Sequence, residues 1–181
     1  MATFAERVIG AAKLDPQIYE EVEADHRALG QAMVVVVLSA LAAGIGAGGR
    51  TGMLGFIGMT FAALVGWFVW AAITFVIGAR ILPAPQTKSD MGELMRTIGF
   101  SASPGIARVL GVLPFLGPPI MLAADIWVLV AMVVAVRQAL DYKSTGRAVG
   151  VCLIGFFVYK AMGALVGVLL GIAHGIAAIP R

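Results

Sequence analysis

The sequence predicts an all-α, polytopic integral membrane protein: a helical bundle of five transmembrane helices with short amphipathic interfacial helices. Composition is the first reason. Hydrophobic residues make up 60% of the chain and charged residues 13%, whereas soluble domains have about 45–50% and about 25%. The second reason is that the apolar residues form long uncharged runs, and about 20 apolar residues suffice to cross a bilayer as a helix.

Four runs are uncharged or nearly so, and a fifth stretch is divided. Residues 31–49 and 51–79 carry no charge, and residues 148–179 are interrupted only by Lys160 and His174. Three prolines and a glycine within residues 114–119 break the remaining stretch, because they interrupt a continuous helix. The predicted spans are residues 31–49, 54–78, 98–114, 119–136 and 148–173.

The predicted organisation has two parts. Residues 1–30 form a cytosolic amphipathic, interfacial helical segment, and residues 31–179 form the five-span transmembrane domain. Nine Lys and Arg residues flank the spans on the side of the predicted membrane that holds the N-terminus, and two lie on the opposite side. Positive residues favour the cytosolic side, so we expect a cytosolic N-terminus and an outside C-terminus in the cytoplasmic membrane.

Three charged residues lie within the predicted spans: Arg108, Asp125 and Lys160. Counted from the ends of their spans, the three residues lie at about the same depth in the predicted membrane. Charged side chains within a membrane usually pair with one another or line a water-filled cavity. We therefore predict an intramembrane charge cluster in which Asp125 bridges Arg108 and Lys160. It is interpreted either as a structural ion network or as an ion, proton or lipid-headgroup site.

The last span carries glycine at every fourth position: Gly163, Gly167, Gly171 and Gly175. This spacing, typical of a glycine zipper, places the glycines on one ridge, where another helix backbone approaches closely. The ridge predicts a helix-packing interface, either within the bundle or with another subunit.

Catalytic and metal-binding patterns are not apparent. His26 and His174 fall on opposite sides of the predicted membrane, and Cys152 is the single cysteine. The basic residues are dispersed, which does not favour nucleic acid as a partner. We expect no enzyme activity, no cofactor and no metal site.

Several segments resemble the Yip family, small five-span membrane proteins named for their interaction with Ypt/Rab GTPases. The resemblance is carried by residues 93–105 (ELMRTIGFSASPG), 113–117 (LPFLG), Trp127, 135–140 (AVRQAL) and 144–148 (STGRA). The lead-in 14–19 (LDPQIY) and the compact Ala- and Gly-rich chain are similar to prokaryotic members. The resemblance implies a membrane protein without catalytic residues; eukaryotic relatives bind Rab GTPases and assist vesicle trafficking.

The leading hypothesis is a non-enzymatic scaffold, assembly factor or accessory subunit. Its expected partners are the lipid bilayer and other membrane protein subunits or further copies of itself. One alternative is a small transporter or channel that uses the Arg108, Asp125 and Lys160 cluster. Another is a membrane-shaping or trafficking-type protein.

Overall fold

Helices account for 81% of the protein, which confirms the predicted all-α membrane bundle. The computed structural model describes residues 1–48 and 52–177, and the side chains among them as far as residue 165. Over this part of the chain there is no strand. The α-helices there are α1 Phe4–Ala12, α2 Pro16–Ala24, α3 Ala28–Gly46, α4 Gly52–Phe75, α5 Met91–Phe100, α6 Gly117–Ala139 and α7 Thr145–Ala177.

Four helical stretches among the described residues are long and apolar enough to cross a membrane: Ala28–Gly46, Gly52–Ile81, Gly117–Ala139 and Thr145–Leu165. They correspond to the first, second, fourth and fifth predicted spans, so the protein is a multi-pass membrane protein. The second stretch consists of α4 and a π-helical segment, Val76–Ile81. The third predicted span, residues 98–114, is not confirmed as a helix of spanning length.

That third stretch is a broken helix. It holds the end of α5 and, after a turn, a 3-10 helix over Ser103–Val112. Pro104 has no N–H to donate to the Phe100 carbonyl, and the Ser103 hydroxyl donates to this oxygen instead, at 2.6 Å. The Ser101 hydroxyl likewise donates to the Ile98 carbonyl at 2.7 Å. The serines therefore satisfy carbonyls next to the break.

The broken stretch nevertheless runs the length of α3. A Cβ added to Gly99 would lie 2.7 Å from the Cβ of Ala32, near the start of α3. Gly111 meets Gly46, the last residue of α3, at a similarly close approach. These contacts are about 20 Å apart along α3, at 1.5 Å per residue. The end of α5 and the 3-10 helix thus run beside α3 and parallel to it, and α6 then runs in the opposite direction.

The N-terminal helices form a tight hairpin. Thr3 and Glu6 make a capping box at the start of α1, and Asp15 caps α2 ahead of Pro16. Leu14 turns the chain with a φ of 64°. Gly10 is needed where the helices meet, because an added Cβ would lie 2.5 Å from the Ile18 side chain.

The hydrophobic core is concentrated at one end of the bundle. We call this the packed end: the hairpin, α5, the beginnings of α3 and α7, and the last turns of α4 and α6. Its fully buried side chains include Tyr19, Leu94, Phe100, Val136 and Leu140. At the opposite end, the open end, large apolar side chains are exposed, among them Met53, Leu54, Leu122 and Leu165.

Candidate functional site

Arg108 and Asp125 form the intramembrane ion pair. The Arg108 Nε donates to the Asp125 Oδ1 at 2.7 Å, and its Nη1 donates to the Ser39 hydroxyl at 3.1 Å. The Arg108 side chain is 17% exposed and that of Asp125 is 55% exposed. One guanidinium therefore joins the 3-10 helix to α6 and α3, and its charge is compensated among apolar helices.

Lys160 does not join this pair, which corrects the predicted three-charge cluster. It is exposed on α7 and its ammonium lies 5.8 Å from the ring centroid of Phe156, one turn earlier. Among the described residues it makes no ion pair with Asp125. Counting residues predicts the level of a side chain along a helix, but its direction depends on how that helix packs.

Of the four glycines in the predicted interface, only Gly163 has surroundings that the structure describes. Among the described residues, no atom lies within 4 Å of a Cβ added to Gly163. Gly167, Gly171 and Gly175 belong to α7, but their surroundings lie outside the described residues. Earlier in α7, Gly155 packs on α4, because its added Cβ would lie 3.6 Å from Trp70 and Ile73.

The closest glycine contacts lie elsewhere, between α3, the 3-10 helix and α6. A Cβ at Gly46 would collide with the carbonyl oxygen of Arg108, and one at Gly117 with that of Gly111. These glycines let the backbones meet directly beside the Arg108–Asp125 pair. Their irregular spacing in the sequence gives no periodic signal.

Arg7 is a buried charge, although its position in the sequence marks it only as one of the cations that flank the spans. Its side chain is 2% exposed, and it pairs with Glu21 at 2.8 Å and Asp25 at 2.9 Å. It also donates to the Gln31 side chain at 2.9 Å. Burial disfavours its charge, but the hydrogen bonds that it donates to both acids outweigh this and raise the pKa of Arg7. Arg7 thereby ties α1 to the end of α2 and the start of α3.

Arg96 of α5 is a second buried cation, 3% exposed. Its guanidinium donates to the backbone carbonyls of Val22 (3.1 Å) and Glu23 at the end of α2. A cation at a helix C-terminus is favourable because the free carbonyls there carry partial negative charge. Two arginines thus attach the α1–α2 hairpin to the bundle: Arg7, which belongs to the hairpin, and Arg96, which belongs to the bundle.

A cavity of about 900 Å³ opens beside this attachment, between α2, α5 and the end of α6. Four carboxylates line it: Glu20, Glu23, Glu93 and Asp141. Burial and the nearby charges of Glu93, Asp141 and Glu20 raise the pKa of Glu23 to about 7. Glu20 also accepts a hydrogen bond from the Gln138 side chain at 2.9 Å.

One sequence signal pointed to these contacts. Glu21 and Asp25 are four residues apart, so they share a face of α2 and its C-cap, and this face meets Arg7. The cavity had no such signal, because its acids come from three separate segments. Within the searched, described residues, no group of three or more His, Cys, Asp or Glu side chains is placed to hold a metal ion.

The fold and the site define a class: a small multi-pass helical membrane protein whose buried charges tie its own helices together. The sequence matches the family described as Yip1 domain over residues 14–166, which is most of the chain. The chain therefore belongs to the Yip1 domain family, a family of non-catalytic membrane proteins. No curated protein and no solved structure matches it.

Proposed function

We propose that the protein acts by binding, as a non-enzymatic scaffold, assembly factor or accessory subunit in the cytoplasmic membrane. One observation carries the proposal: the apolar surface of α4 and α7 is uncovered while the buried arginines are engaged within the chain. Five large side chains on these two helices are more than half exposed, between 52% and 69%: Phe61 and Phe68 of α4, and Leu153, Phe157 and Leu165 of α7. Lipid or a helix of another subunit is expected against these side chains.

Photo-crosslinking in native membranes tests this proposal. A photoreactive amino acid replaces Phe157 on α7 or, as the matched control, Leu129 on α6, which is exposed to a similar degree (63% against 69%). We expect a discrete protein adduct from position 157 and lipid adducts from position 129. Lipid adducts alone at both positions, together with a monomeric mass in gentle detergent, would contradict a binding function through this face.

A transporter or channel is the second candidate, and the Arg108–Asp125 pair is the observation that favours it. The Asp125 side chain is 55% exposed although it lies in the middle of an apolar helix. Ion flux into proteoliposomes, compared between the wild-type protein and Asp125→Asn, tests this candidate. Flux that the substitution abolishes supports transport; no flux above empty vesicles excludes the tested ions.

We also propose that the α5 and 3-10 stretch is a fifth crossing, which places the N-terminus in the cytosol and the C-terminus outside. The passage of this stretch along α3 supports it, and so does the excess of Lys and Arg on the N-terminal side. Cysteines at Gln17 and at the C-terminus, in a Cys152→Ser background, can be labelled with an impermeant maleimide in intact cells. Labelling of the C-terminal cysteine alone is expected; identical labelling of both positions would require an even number of crossings.

A further inference from the structure

The α1–α2 hairpin packs on the bundle through apolar side chains, among which Tyr19 and Val22 are fully buried, and charged groups lie on two sides of this contact. On one side, Arg7 of α1 donates to the Gln31 side chain of α3, and Arg96 of α5 donates to the Glu23 carbonyl of α2. Trp127 of α6 adds a hydrogen bond from its indole N–H to the Ala12 carbonyl at 2.8 Å. On the other side, across the 900 Å³ cavity, the hairpin presents Glu20 and Glu23 to further acids. Attachment and repulsion therefore act on the same short helix.

The charged groups around Glu23 come from every element that faces it. The acids are Glu20 of α2, Glu93 of α5 and Asp141 after α6. The cations are Arg96 of α5, Lys88 before α5, Arg137 of α6 and Lys143 after α6.

Most of these groups are engaged elsewhere. Arg96 donates to the backbone of α2, and Arg137 donates to the Tyr142 carbonyl and to the Thr145 hydroxyl. Glu93 accepts the Asp90 N–H in the capping box of α5. Among the described residues, the carboxylate of Glu23 accepts no hydrogen bond. When ionised, it faces carboxylates and makes no salt bridge among these residues; Lys88 and Lys143 also line the cavity, and the charge of Arg96 offsets the repulsion only in part.

We propose that protonation of Glu23 controls the docking of the α1–α2 hairpin on the bundle, so that the hairpin is a pH-sensitive element on the face of the membrane domain. Neutral Glu23 removes the repulsion across the cavity and leaves the arginine attachments unopposed. Ionised Glu23 restores the repulsion and favours a hairpin that separates from α5 and α6.

The direction follows from the raised pKa. The pKa of Glu23 rises from 4.5 to about 7 in the docked state, chiefly because burial disfavours the charged form. Its contribution to docking is complete below pH 4.5 and is lost as the pH rises towards 7. Each unit of pKa difference is about a tenfold change in the docking equilibrium; because Glu23 is partly exposed and solvent screens it, we expect roughly a 10- to 100-fold change.

The Arg7 contacts respond in the opposite sense. Hydrogen bonds lower the pKa of Glu21, through Arg7, and of Asp25, through the Arg27 backbone and Arg7. Their contribution is present above their ordinary pKa values of 4.5 and 3.8 and is lost as the pH falls further. A pH range of about 5 to 8.5 thus separates the effect of Glu23 from those of Glu21 and Asp25.

A distance measurement tests the proposal in the full chain. Spin labels at Gln17→Cys on α2 and Ser144→Cys after α6, in a Cys152→Ser background, report docked and separated populations in lipid nanodiscs. In the wild-type background, the docked-to-separated ratio is expected to fall roughly 10- to 100-fold as the pH rises. Because a single carboxylate titrates, the ratio should fall by at most about a factor of ten per pH unit. Glu23→Gln is expected to keep the docked population high and independent of pH.

Two further variants keep the proposal testable even if Glu23→Gln does not fold. Glu93→Gln retains the capping box, because Gln also serves at that position, but removes the strongest facing charge; its transition should move to lower pH. Glu20→Gln should move it by less, because the charge of Glu20 is a smaller cause of the shift. A wild-type population unchanged with pH, or a Glu23→Gln profile that matches the wild type, would overturn the proposal.

Discussion

The packed end and the open end of this bundle are stabilised in different ways. The packed end has a closed apolar core and buries Arg7 and Arg96 against carboxylate, amide and backbone carbonyl acceptors. The open end leaves large side chains such as Leu54 and Leu165 exposed, and its helices meet through glycines such as Gly46.

We attribute the difference to the solvent expected at each end, which is water around the hairpin and lipid around the exposed apolar helices. Where water surrounds the protein, burial of apolar area drives packing, and each buried charge needs partners. Where lipid surrounds it, apolar side chains gain little by leaving the surface, so close backbone contact holds the helices together. A single chain therefore combines a core typical of soluble proteins with a membrane bundle.

The largest expected effect tests the packed end. Arg7→Met removes the cation between Glu21 and Asp25, and breaking such a buried pair should lower the free energy of unfolding by about 3 kcal/mol. Chemical unfolding in mild detergent, followed by circular dichroism, measures this. Arg27→Met, an exposed arginine beside the same segment, is the control, with an expected effect within about 0.5 kcal/mol. Equal effects would show that the burial of Arg7 does not matter.

An intermediate effect tests the open end. Gly46→Ala places a methyl group against the Arg108 carbonyl, and such overpacking typically costs about 1–3 kcal/mol. Gly163→Ala is the matched control, because its Cβ would meet no atom of the described residues within 4 Å and alanine favours the helix by up to about 1 kcal/mol. The two variants should change the unfolding midpoint in opposite directions. A shift in the same direction would contradict glycine-mediated contact as the stabilising feature of this end.

The smallest expected effect tests a buried polar group on α4, the Thr74 hydroxyl. Thr74 of α4 is fully buried, and its hydroxyl has no hydrogen-bond partner within the part of the chain that the structure describes. Thr74→Val keeps the shape and removes the unpaired group, so the protein should gain about 1 kcal/mol of stability. Thermal unfolding of the purified protein measures the change. A loss of stability would indicate that the hydroxyl is hydrogen-bonded in the membrane.

Much of the fold could be predicted from local pattern. The four spanning helices follow from apolar length, and the α1–α2 hairpin follows from caps such as Asp15 and Pro16. The pairing of Arg108 with Asp125 could also be predicted, because both lie about eight residues from the same turn. The bend at Pro104 could be predicted as well, because proline interrupts a helix and the preceding serines can satisfy the freed carbonyls. The 3-10 helix that follows could not, because an apolar run of spanning length does not reveal which type of helix it forms.

The sequence by itself determined the class of protein, the family and the level of each charge along its helix. Only the tertiary structure decided which way those charges face. It separated Lys160 from Asp125, buried Arg7 and Arg96, and brought Glu23 opposite Glu93. Hydropathy and capping are properties of neighbours in the chain, whereas the environment of a charge depends on the rotation and packing of distant helices.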